Sequence, residues 1–261
     1  MFDYHTHTKF SFDSSAEPEI MVEVAAAAGL LEICITDDVD IFPGEQKAEI
    51  DLQAYHRTID SLKKSAKGIA VKKGIELGVD QSTAELYQQI CRENQFDFII
   101  CSQHFVKDID PYEPVFFEGR MVREAYEEYL EENFKTLQVF DAYSVVGHIG
   151  YPAKYCKAAD PRMTFAQYGD WIEAILRHVI ARGKGIELNT SGYLMTGPPI
   201  HACDVLRRYR EMGGEILTIG SDAHSPERVG DGIEKGVAAA RAAGFRYLCT
   251  FEEMEPVFHQ I

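Results

Sequence analysis

The side chains able to do chemistry recur in short groups along the chain. His5-Thr6-His7 comes first, followed by Asp37-Asp38, Glu76, His104, His148, Glu187 with Asn189, and Asp222-Ala223-His224. The first spacing has a direct reading. In a strand, residues i and i+2 face the same side, so the imidazoles of His5 and His7 can reach one ion. A carboxylate such as Glu76 can bridge two ions, because its two oxygens bind separately. Neutral imidazoles with carboxylates and no thiolate suit zinc, manganese or iron in a mixed nitrogen and oxygen site. Each group alone is weak, and Asp222 by itself would serve as the N-cap of a following helix. Convergence carries the argument: five of the nine histidines, His5, His7, His104, His148 and His224, stand at the ends of expected strands. Crowding them there with carboxylates is costly without a compensating cation, which predicts a multinuclear metal site. The remaining His56, His178, His201 and His259 read as structural or surface residues.

The elements that must position these groups are short β-branched runs alternating with helical stretches. Seven strands are expected, at 2–6, 32–36, 70–78, 96–102, 144–147, 185–189 and 215–221. Several are near-continuous apolar runs, as in strands buried on both faces. Between them, Ser15 with Pro18 opens an Ala-rich helix that Gly29 closes, Ser82 and Glu85 have capping-box spacing, and so do Thr164 and Gln167 before Gly183. Ser225-Pro226 opens a last helix that Gly244 ends. Such a βα repeat implies a parallel sheet with right-handed crossovers, and the chemical groups all fall on its C-terminal rim, where active sites of α/β barrels lie. No linker divides the chain, so one α/β domain over residues 1–261 is expected. Residues 105–120, rich in acids and aromatics, read as a long loop over one end of the barrel. Its Asp108, Asp110 and Glu113 read as solvated surface, with recognition of a substrate ammonium as the alternative.

Composition excludes several classes. The 261 residues are 46% hydrophobic and 26% charged, which excludes a disordered chain or a small disulfide scaffold. With 26 Lys and Arg against 42 Asp and Glu, the net charge of −16 argues against nucleic acid or an anionic membrane as partner. No run reaches the roughly 20 apolar residues of a membrane helix. The start lacks the basic and apolar regions of a secretory signal, and the six cysteines form no CxxC pair, so a cytoplasmic protein with reduced thiols is expected.

Taken in order, His5-Thr-His7, Ile35-Thr-Asp-Asp38, Gly74-Ile-Glu76, Ser102-Gln-His104, Gly147-His148, Glu187-Leu-Asn-Thr-Ser-Gly192 and Ser221-Asp-Ala-His224 resemble the PHP (polymerase and histidinol phosphatase) superfamily, and most of all its histidinol-phosphate phosphatase branch. The resemblance implies a distorted (β/α)7 TIM-like barrel and three divalent ions. His5, His7, Glu76 and Asp222 would bind the first, Glu76, His104 and His148 the second, and Asp13, Asp38 and His224 the third. It also implies hydrolysis of a small phosphate monoester, most directly L-histidinol phosphate, by a metal-bridging hydroxide. His224 or Asp222 would protonate the leaving group, while Arg162 and Arg228 are the candidates to grip phosphate oxygens. The chain departs from the family pattern at Asp38, where His is common, at Gly150, where Asp is frequent, and at Tyr193-Leu194, where phosphatase members often carry Arg. The alternatives are a PHP phosphoesterase for another phosphate ester, an amidohydrolase-type hydrolase and a non-catalytic metal-binding module.

Overall fold

The computed structural model describes residues 1–42, 44–45, 50–195, 197, 199–200 and 203–261, and the reading of His201 as a structural residue lies outside them. Eight strands form one parallel sheet: β1 (Phe2–Asp3), β2 (Glu32–Ile35), β3 (Asp38–Asp40), β4 (Ala70–Gly78), β5 (Phe98–Ser102), β6 (Val145–Val146), β7 (Gly185–Asn189) and β8 (Leu217–Gly220). Their order is β1-β2-β4-β5-β6-β7-β8, with β3 beside the upper half of β4. The ends meet. Tyr4 N–H donates to Ile219 O at 2.9 Å, Asp222 N–H to His5 O at 2.8 Å and His7 N–H to Ala223 O at 2.8 Å. The sheet is therefore a nearly closed α/β barrel with helices around it, and all seven expected strands are in it.

Two features were not expected from the sequence. β2 and β3 are one strand interrupted at Thr36-Asp37, because the Asp37 carboxylate turns to accept from Thr8 and Ser11. Pairing then resumes with Asp38 opposite Glu76. The second is a C-terminal antiparallel hairpin, β9 (Tyr247–Glu252) and β10 (Glu255–Gln260). Its two-residue turn holds Glu253 and Met254 at φ 50° and 70° without the Gly or Asn that usually marks such turns. Leu248, Cys249 and Phe251 of β9 are buried, and Phe98 meets Tyr4 edge-on and Phe251 at a tilt, with 5.0 Å between centroids in each pair. The hairpin thus packs against aromatic side chains from near the N-terminal ends of the strands, away from the reactive groups.

The helix signals hold, with Phe165–Ala181 starting after Thr164 as expected and the other starts shifted. Pro18–Ala27 begins on its proline, with Glu17 rather than Ser15 in the cap position, and Gly29 turns out of it at φ 76°. Before Ala84–Glu93, Asp80 caps Ser82 and Thr83 in place of a Ser82–Glu85 box. Pro226–Arg228 is a single 3₁₀ turn, and the last helix is Ile233–Ala242. The 105–120 segment is docked across the rim end. Phe105 packs on Phe42 with centroids 5.8 Å apart, and Val106 and Phe116 are buried. No helix among the described residues is long and apolar enough to cross a membrane.

Candidate active site

The C-terminal rim collects the reactive side chains because each parallel strand ends there. His5 and His7 follow β1, Asp38 opens β3, Glu76 lies in β4, His104 and His148 stand two residues past β5 and β6, and Asp222 and His224 follow β8. Close backbone approach makes room for them. A Cβ on Gly220 would collide with the His5 side chain, and one on Gly78 with Asp40 and His104. Asp222 is held at φ 58°, a conformation rare for residues with a side chain.

Glu76 is the centre. Its Oε2 lies 2.8 Å from His5 Nε2 and 3.5 Å from His7 Nε2, while Oε1 lies 2.9 Å from His148 Nε2 and 3.4 Å from His104 Nε2. Each oxygen therefore faces its own pair of imidazoles, the geometry a bridging carboxylate requires. Asp222 Oδ1 is 3.4 Å from His7 Nε2 and 3.8 Å from His5 Nε2. Asp38 Oδ2 is 3.2 Å from His7 Nδ1, and Asp13 Oδ2 is 3.0 Å from His224 Nε2. Among the described residues, four groups hold donor atoms within 4.8 Å of one another: His5, His7 and Asp222; His5, Glu76 and His148; His7, Asp38 and His224; and Asp38, Asp40 and His104. Eight of the nine expected ligands are in these groups, and Asp13 joins them through His224.

The electrostatics ask for added positive charge. Burial opposes charge on His5, His7 and His104, yet Glu187 and Glu76 beside His5, Asp38 beside His7 and Asp40 beside His104 hold all three well above the ordinary imidazole pKa. Burial also disfavours the Glu76 and Asp222 carboxylates, but His5 facing the first and Lys154 facing the second pull both well below the usual range. Asp38 goes the other way, pushed well up by burial and by the Glu76 charge. His7 Nε2 and Asp38 Oδ1 are buried without a hydrogen-bond partner. Buried lone pairs left unsatisfied in a cage of imidazoles and carboxylates fit a site for divalent cations.

A second layer of carboxylates orients the first. Glu187 accepts from His148 N–H at 2.9 Å and lies 2.5 Å from His5 Nδ1, and Asp40 lies 3.0 Å from His104 Nδ1. Such carboxylate–histidine pairs fix the ring and its tautomer. Asp37 takes the Thr8 and Ser11 hydroxyls at 2.8 and 2.9 Å, and Ser11 Oγ in turn accepts the Asp38 N–H at 2.9 Å, so one buried acid shapes the loop from His7 to Asp38.

Sequence reasoning missed Lys154. It ends the turn Tyr151–Lys154, and its Nζ lies 2.5 Å from Asp222 Oδ2 with 10% of the side chain exposed. Gly150 starts that turn at φ 147°, with Ile200 O 3.1 Å from where a Cβ would be, so any side chain there would be strained. Only the order His148, Gly150, Lys154 hints at this in the sequence, where arginine is the residue type that best matches phosphate. Of those, Arg162 lies at the surface in a fork with Asp160 at 2.6 and 2.7 Å, and Arg228 pairs with Asp231 at 3.1 Å. The structure brings neither against the nine expected ligands.

A parallel barrel whose rim gathers imidazoles and carboxylates around one shared glutamate is the frame of a metal-dependent hydrolase. The chain belongs to the PHP domain family, whose model matches residues 3–191. It is 33% identical over 256 residues to the histidinol-phosphatase of Lactococcus lactis, covering 97% of this chain and 95% of that one. The crystal structure of histidinol phosphate phosphatase from Lactococcus lactis, complexed with zinc, L-histidinol and phosphate, matches with a TM-score of 0.90 at 32% identity over 98% of both chains. A Listeria monocytogenes structure matches at a TM-score of 0.74 and 19% identity, over 90% of this chain and 99% of its own, and speaks to the fold alone.

Proposed function

We propose that this chain is a metal-dependent phosphatase that hydrolyses L-histidinol phosphate to L-histidinol and phosphate. The observation that carries the reading is the Glu76-centred donor set, on a chain alike over nearly its whole length to a histidinol phosphate phosphatase complexed with zinc, L-histidinol and phosphate. His5, His7, Glu76 and Asp222 would hold one ion, Glu76, His104 and His148 a second, and Asp13, Asp38 and His224 a third, with zinc, manganese and iron as the metals such donors suit. When bound, divalent ions supply an activated water near neutral pH and positive charge for phosphate oxygens.

The chain's own groups do the rest. Lys154 Nζ, the buried cation beside Asp222, holds a non-bridging phosphate oxygen and stands in for the arginine that Tyr193-Leu194 does not supply. Asp222 Oδ2 is engaged by Lys154, by Asn189 Nδ2 at 3.2 Å and by Ser191 Oγ at 3.3 Å. With its pKa pulled down it is a poor acid, so it orients Lys154 and leaves proton delivery to His224. His224 is a third exposed, and its Nε2 serves either as a ligand of the third ion or as proton donor to the departing alkoxide, but not as both at once. Three ions of charge +2 bring about +6 to the rim, enough to draw a phosphate ester to a protein of net charge −16.

Residues 1–261 would then act as one domain on a small phosphorylated substrate, without nucleic acid or membrane. All six cysteines are unpaired, which supports a cytoplasmic setting. The test is phosphate release from L-histidinol phosphate after metal analysis, with zinc, manganese or iron restored, beside sugar phosphates and a phosphodiester. A kcat/KM above about 10⁴ M⁻¹s⁻¹ on L-histidinol phosphate, and far less on the others, is expected. Full metal content with preference for another ester would overturn the substrate.

A further inference from the structure

Phosphate accounts for one end of the substrate only; the other end of L-histidinol phosphate carries a positive amine. The rim holds a carboxylate placed for it. Tyr151 lies across two histidines of the Glu76 cluster, its ring 5.3 Å from that of His104 and 5.1 Å from that of His148. The Tyr151 hydroxyl reaches outward and donates to Asp110 Oδ1 at 3.2 Å, which also accepts the Tyr112 N–H at 2.8 Å. Asp110 Oδ2 receives no hydrogen bond from any described residue. Other acids around the rim are engaged: Asp40 by His104, Asp13 by His224 and Asp222 by Lys154.

The segment that delivers Asp110 is built rather than loose. Val106 and Ile109 exchange backbone hydrogen bonds at 2.9 and 3.1 Å around Lys107 and Asp108, both left-handed at φ 50° and 67°. Asp110 follows immediately and is half-buried, whereas Asp108 and Glu113 on the same segment are exposed. Tyr155 stands edge-on to both Tyr151 and Tyr112, at 5.2 Å from each, so three aromatic rings line the approach to the carboxylate. A carboxylate with a free oxygen beside tyrosine rings is a receptor for an ammonium group, through a charge-assisted hydrogen bond and cation–π contact.

We infer that Asp110, held by the Tyr151 hydroxyl at the edge of the Glu76 cluster, is the specificity-determining residue that accepts the substrate's ammonium group, an inference that rests on the reading of L-histidinol phosphate as substrate. The enzyme would thereby select phosphate esters of amino alcohols over uncharged ones.

The test is a ratio. The kcat/KM for L-histidinol phosphate is divided by that for its des-amino analogue, in the metal-loaded wild type and in Asp110→Asn, which keeps shape and removes charge. Wild type is expected to favour the amine, and Asp110→Asn to reduce that preference at least about ten-fold, the lower range for a hydrogen bond to a charged group. A ratio unchanged in Asp110→Asn, including one in which both rates fall together, overturns the inference while leaving the substrate reading intact. A wild type that releases phosphate from p-nitrophenyl phosphate but turns over neither member of the pair overturns the substrate reading, and this inference with it.

Discussion

Replacing Lys154 separates a phosphate-gripping cation from a structural one. Its Nζ lies 2.5 Å from Asp222 Oδ2, and together with the imidazoles it holds that carboxylate ionised. In Lys154→Met the stem volume is kept and the charge is lost. A charge-assisted bond to a phosphate oxygen is worth about 1.5–3 kcal/mol, so kcat/KM should fall about 10- to 150-fold. The loss should be the same for L-histidinol phosphate and p-nitrophenyl phosphate, because the contact is to the phosphoryl group the two esters share. Removing one partner of a buried pair also costs about 3–5 kcal/mol of stability when the remaining charge is left alone. Here divalent ions would compensate Asp222, so the destabilisation should be large in chelator and small in the metal-loaded protein. The assay is steady-state phosphate release on both substrates, with bound metal and thermal unfolding measured on the same samples. Lys154→Arg should recover part of the rate. Unchanged kcat/KM in Lys154→Met at full metal content would refute the assignment, and so would a loss wholly explained by missing metal.

Glu76→Ala removes the carboxylate whose two oxygens face separate histidine pairs, and should abolish turnover and lower bound metal, read by activity and elemental analysis. Glu187→Gln keeps the shape that supports His5 but weakens the carboxylate–histidine pair, and should cost about 10- to 100-fold in metal affinity or activity, seen by metal titration. Arg162→Ala, at the surface in its fork with Asp160, should change kcat/KM by less than about two-fold, as surface substitutions do; a larger loss would return it to the substrate site. Phe251→Ala deletes a buried ring 5.0 Å from Phe98 at the opposite end of the barrel and should destabilise the fold by about 3–5 kcal/mol in denaturant titrations, with rim chemistry unchanged below the transition.

What could be read in the sequence follows from which groups depend on local spacing. His5 and His7 were legible because strand alternation is local, and Asp222 and His224 because they close a strong apolar run. Asp40 was not, since it lies beyond the irregular Thr36-Asp37 break, and nothing local says that pairing resumes there. Lys154 was hidden for a different reason. Its approach to Asp222 depends on a glycine turn 72 residues from that aspartate, and residue type alone points to arginine for phosphate. The C-terminal hairpin escaped because its left-handed turn is made by Glu253 and Met254, where glycine or asparagine would have announced it. Asp110 was visible as an acid, but only the tertiary contact with Tyr151 separates it from its exposed neighbours Asp108 and Glu113.

The two ends of the barrel divide the work. At the rim, the carboxylates of Asp38, Asp40, Glu76, Glu187 and Asp222 are buried together, and Asp222 is left-handed, arrangements that oppose folding unless cations join them. At the other end, Tyr4 receives the Phe251 N–H at 2.9 Å and its ring meets Phe98, and β9 buries Leu248, Cys249 and Phe251. Those contacts are apolar or fully satisfied, so they hold the strands in register whether or not the rim is compensated. A rim that packed equally well without ions would have no unsatisfied lone pairs to offer them. The buried, partnerless atoms of His7 and Asp38 therefore belong to the function, and the stability that permits them is supplied where no chemistry occurs.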